Sequence, residues 1–71
     1  MDLKGLDAQE QSVLLEEYMK SRFDRYVIIR SIDWQDAWVF VEYINPIFGA
    51  LYPQQIGIEV ADVINYLIEA N

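Results

Sequence analysis

Tyr26-Val27-Ile28-Ile29-Arg30-Ser31-Ile32 and Ala37-Trp38-Val39-Phe40-Val41-Glu42-Tyr43-Ile44, joined by Asp33-Trp34-Gln35-Asp36, decide the fold of this chain. Both runs are rich in β-branched and aromatic side chains, which pack well on a pleated surface and read as strands. The four residues between them form a short hairpin connection, although without the glycine that the tightest turns prefer. A second period competes. Asp33 followed by Asp36 resembles a helix start, and Trp34, Ala37, Trp38, Val41 and Ile44 recur at helical spacing. Composition favours the hairpin, and with it an α+β fold. The helical reading gives an all-α alternative of three to four short helices.

Upstream, Asp7 can cap a helix, with Glu10 three residues on completing a pair of the capping-box kind. A helix is expected from about Ala8 to Arg22. Leu14, Leu15, Tyr18 and Met19 fall on one side of it, and Glu10, Glu16, Glu17 and Lys20 on the other. Residues 1–6, ahead of the cap, are expected to be loosely ordered.

Downstream, Asn45-Pro46-Ile47-Phe48-Gly49-Ala50-Leu51-Tyr52-Pro53 holds two prolines and a glycine and reads as a loop. Phe48, Leu51 and Tyr52 are its candidates for a hydrophobic anchor or dimer contact. A last amphipathic helix is expected from about Ile58 to Ala70. Its polar residues Glu59, Asp62, Asn65, Tyr66 and Glu69 share one narrow arc. Ile56, Val60, Ala61, Val63, Ile64, Leu67 and Ile68 cover the rest, more apolar surface than one contact face needs. Ile64, Leu67 and Ile68 are therefore further dimer candidates.

The 71 residues allow one domain, 1–71, with a modest core. Apolar residues are 54% of the chain, enough to fold it and too many for so small a body to hide entirely. The net charge of −7 speaks against direct nucleic-acid binding, which depends on Lys and Arg neutralising phosphates. The layout of charge says more than the sum. All five bases, Lys4, Lys20, Arg22, Arg25 and Arg30, lie in the first 30 residues, whereas residues 31–71 hold six acids and no base. That half is suited to a basic partner surface, and Asp33, Trp34, Asp36, Glu59, Asp62 and Glu69 are the candidate contacts.

Catalytic and metal chemistry finds few residues to work with. The chain has no His and no Cys, which removes zinc sites built on them, His bases and Cys nucleophiles, as well as any disulfide framework. The three serines, Ser12, Ser21 and Ser31, have no local base pattern, and no phosphate-cradling glycine motif occurs. Paired carboxylates at Asp33 and Asp36, or Glu59 and Asp62, are better explained as turn chemistry and a solvated helix face. No enzyme activity and no cofactor are expected. Met1 to Gly5 lacks the apolar run of a signal peptide, and the longest uncharged stretch, Tyr43 to Ile58, is too short and too interrupted to span a bilayer. A cytoplasmic protein without membrane contact is the expectation.

Two function classes follow. The first is a small acidic protein-binding module, a non-catalytic inhibitor or regulator of phage or mobile-element type that docks on a basic surface of a host protein. A DNA mimic is its narrower form. The second is a structural homodimer or assembly subunit that buries its surplus apolar surface against a second copy.

Overall fold

Between Tyr26 and Asn45 the two-residue period wins, because the strand Trp38–Ile44 finds a hydrogen-bonding partner on each side and satisfies its backbone in both directions. The computed structural model describes residues 3–46 and 52–70. The elements are a 3-10 turn (Leu3–Gly5), α1 (Ala8–Phe23), β1 (Ile28–Gln35), β2 (Trp38–Ile44), β3 (Gln54–Glu59) and α2 (Val60–Ala70). The strands form an antiparallel sheet in the order β1-β2-β3. The molecule is thus the expected small α+β domain, with one helix at each end of the chain.

Several boundaries move. The hairpin turn is Asp36-Ala37, with Gln35 paired to Trp38, so Asp33, Trp34 and Gln35 belong to β1 and not to the connection. Asp36 supplies, without glycine, the positive φ (52°) that a two-residue hairpin loop needs. The final helix starts at Val60, and the expected start at Ile58 is corrected: Ile58 and Glu59 end a third strand. Gln54, Ile56 and Ile58 alternate with Gln55, Gly57 and Glu59, but Ile56 also fits the helical spacing of Val60, Val63 and Leu67. Pairing of Val39 with Ile58 and of Val41 with Ile56 resolves the ambiguity for the strand.

α1 begins as its cap residues dictate. The Asp7 carboxylate accepts the Glu10 amide at 2.8 Å, and the helix ends at Asp24 in the left-handed region, whose N–H reaches the Lys20 carbonyl at 3.1 Å. Residues 3–6 lie against α1. Leu3 is buried, and the Gln11 amide donates to the carbonyls of Lys4 (3.3 Å) and Leu6 (2.9 Å) while its oxygen accepts the Trp34 indole N–H at 3.1 Å.

Leu14, Leu15, Tyr18 and Met19 of α1 and Val63 of α2 bury one face of the sheet, meeting Val39, Val41, Tyr43 and Ile58. α1 packs on β1, α2 on β3, and the helices touch each other. The Val60 amide also donates to the Ala37 carbonyl at 2.9 Å, which ties the start of α2 to the hairpin turn. Of the α2 residues only Val63 is fully buried, and Ile68 is 66% exposed. Among the described residues no helix is long and apolar enough to cross a membrane. Phe48 and Leu51 lie outside the described residues, and Tyr52 is 81% exposed.

Candidate functional site

Both helices lie on one side of the sheet, so among the described residues the other side has no layer over it. Register aligns its side chains in rows across the strands: Gln35-Trp38-Glu59, then Asp33-Phe40-Gly57, then Ser31-Glu42-Gln55. An antiparallel sheet with one open face ordinarily turns polar side chains outward. Here the outward positions of β2 begin with two aromatics, Trp38 at 44% and Phe40 at 46% exposure.

Gly57 shapes this pair. A Cβ at that position would lie 3.1 Å from Phe40 Cε1 and 3.6 Å from Trp38 Cε3, so the rings lean over the glycine backbone and cover the gap left by its missing side chain. Around the rings stand carboxylates. Asp33 and Glu42 share with Ser31, Phe40 and Gln55 a shallow depression of about 360 Å³. Glu59 and Asp62 share another, of about 310 Å³, with Trp38, Gly57, Tyr18 and Phe23. β2 and β3 carry no Lys or Arg, so this part of the face has acids without a base.

The residues expected to contact a partner are divided by the fold. Asp33 and Glu59 are on the open face and Asp36 is in the turn at its end. Trp34 is not with them. Its neighbour in sequence points outward, so Trp34 points inward, half-buried against the core with its indole held by Gln11. The single ridge expected from Glu59, Asp62 and Glu69 is likewise corrected: Glu59 belongs to β3, and α1 engages the other two acids. Tyr18 donates its hydroxyl to Asp62, and Arg22 forms an ion pair with Glu69 at 2.9 Å. Burial, reinforced by the bond to Asp62 and its negative charge, pushes the Tyr18 hydroxyl pKa far above its ordinary value. Tyr66 packs edge-on against Tyr18 at 5.7 Å and lies under the Arg22 guanidinium at 5.9 Å. These polar groups form the α1–α2 seam.

Trp38, Phe40 and Gly57 are the surface residues that sequence reasoning missed, while Glu42 entered it as one of the six acids of residues 31–71. The signal was present as the alternation Trp38, Phe40, Glu42 against Val39, Val41, Tyr43. With both sets largely apolar, the alternation does not tell which is turned inward. Among the described residues no group of three or more His, Cys, Asp and Glu could hold a metal ion. No family model, curated protein or solved structure matches this chain.

Proposed function

We propose that this domain is a non-catalytic protein-binding module, an inhibitor or regulator, that lays the open face of its sheet on a Lys- and Arg-bearing surface of another protein. The carrying observation is the half-exposed pair Trp38 and Phe40 set among Asp33, Glu42 and Glu59. Aromatic faces attract cations and accept the methylene stems of Lys and Arg, while carboxylates beside them accept the charged heads. Such a surface combines a central aromatic anchor with charges that speed encounter at low salt. The absence of His and Cys from the sequence supports the non-catalytic part of the reading.

A photocrosslinking residue in place of Phe40 tests the proposal in host extract at low and high salt. The expected result is a crosslink to a basic protein that weakens as salt rises and disappears in a chain also carrying Trp38→Ala and Glu42→Gln. Capture unaffected by salt and by both substitutions would reject the reading. Release of the captured protein by duplex DNA would establish the narrower form, a DNA mimic.

A second reading, self-association, is favoured by a different observation. Ile68 is 66% exposed beside Ile64 and Leu67, which pack partly against the core, so among the described residues α2 keeps apolar surface turned to solvent. Two copies of the open sheet face would bring Asp33, Glu42 and Glu59 against their like, so α2 is the better surface for a homodimer.

A further inference from the structure

A concavity lies away from the open sheet face. It is a groove of about 540 Å³ whose apolar lining comes from Leu3 and Leu6 of the amino-terminal segment, Val13 and Leu14 of α1, and Leu67 of α2. Its remaining lining is Asp7, Gln9, Glu10 and Glu17, with no Lys or Arg among the described residues. Along α1 the order is acid, apolar, apolar, acid: Glu10, Val13, Leu14, Glu17. Those positions lie on one face, and the two carboxylates at its ends are separated by two helical turns, about 10 Å along the axis. Val13 is 47% exposed at the middle of this stripe. At the amino-terminal end Asp7 and Glu10 crowd together. A side-chain hydrogen bond to Asp7, added to its negative charge, raises the Glu10 pKa above the usual carboxylate value.

We infer that this groove binds a basic amphipathic helix of a partner protein, one with Lys or Arg seven residues apart and two large apolar side chains between them. The spacing matches because two helices lying side by side repeat their facing positions with the same period. The apolar pair fills the floor over Val13, Leu6 and Leu67, and the two cations meet Glu10 and Glu17. The carboxylates of Asp7, Glu10 and Glu17 at this rim favour a cationic occupant over a second copy of this chain, whose net charge is −7. The inference stands apart from the sheet-face reading, because Trp38 and Phe40 take no part in it.

The test uses the whole chain, isotopically labelled, and a synthetic helical peptide with Lys at the two outer positions and Leu three and four residues after the first Lys. Amide shifts are expected at Leu6, Glu10, Val13, Glu17 and Leu67, with none at Trp38 and Phe40. Glu10→Lys combined with Glu17→Lys should weaken the peptide about tenfold or more while leaving the circular dichroism spectrum unchanged, since both are surface positions. Val13→Asp, also exposed, provides a second variant that spares the fold, and the same loss is expected. Trp38→Ala should bind the peptide as wild type does, so failure of this inference and failure of the sheet-face proposal can be told apart. Equal binding of a peptide with Glu in place of both Lys, shifts confined to the sheet face, or no shifts would overturn it. So would concentration-dependent shifts of the groove residues in the protein alone, which would identify a second copy as the occupant.

Discussion

Tyr18 joins the core to the polar seam, with its ring fully buried and its hydroxyl bonded to Asp62. Because the folded state raises its pKa above the unfolded value of about 10, the folded chain binds the hydroxyl proton more tightly than the unfolded chain does. Stability from this group is therefore fully present below about pH 10 and is lost as pH rises beyond it, by about 1.4 kcal/mol per pH unit until the folded group itself ionises. Denaturant melts between pH 9 and 11 should show a steeper loss for the wild type than for Tyr18→Phe. Parallel curves would mean that the hydroxyl is free to ionise in the folded protein. Gln11 has a comparable joining role at the opposite end of α1, where one amide serves the amino-terminal turn and the β1 indole together.

β3 combines weak strand propensity with a specific surface consequence. Gly57 costs the strand backbone entropy and leaves a gap that the Phe40 ring covers. Gly57→Val should restore strand propensity, and since Phe40 is exposed its ring can tilt outward to make room, so stability should stay within about 1 kcal/mol of wild type. The tilt would change how Trp38 and Phe40 are presented together. Binding of the basic partner should then fall about tenfold while the thermal midpoint stays near that of the parent. A variant that binds normally would show that the aromatic pair does not need Gly57, and one that fails to fold would show that β3 tolerates no side chain there.

The described residues build two layers, helices on one side and sheet on the other, within a body of 35 × 23 × 19 Å. Among the described residues nothing is layered over the outward sheet face or over the far side of α2. Ile68→Asp separates the two surfaces. At 66% exposure Ile68 contributes little to the core, so the fold should survive the change. If α2 mediates self-association, light scattering should report a dimer for the wild type and a monomer for Ile68→Asp. A wild-type monomer at micromolar concentration would remove the homodimer reading and leave the acidic faces as the working surfaces.

Local chemistry determined much of this protein from sequence alone: the Asp7 cap and its helix, the β-branched hairpin, and the confinement of every base to the first 30 residues. Each depends on neighbours within a turn or two of chain, so it is visible without the fold. Tertiary structure decided the rest. β3 exists because β2 offers it a pairing edge, and its Gln, Gly and Ile residues would not specify a strand by propensity. The roles of the two tryptophans were decided the same way. Trp34 and Trp38 are both aromatic residues beside the same turn, and their exchange of meaning, one clamped by Gln11 and the other open to solvent, comes from strand register. A strand alternates sides at every residue, so which set faces the helices depends on where the helices pack, and an apolar set on each side leaves that choice to the assembled core.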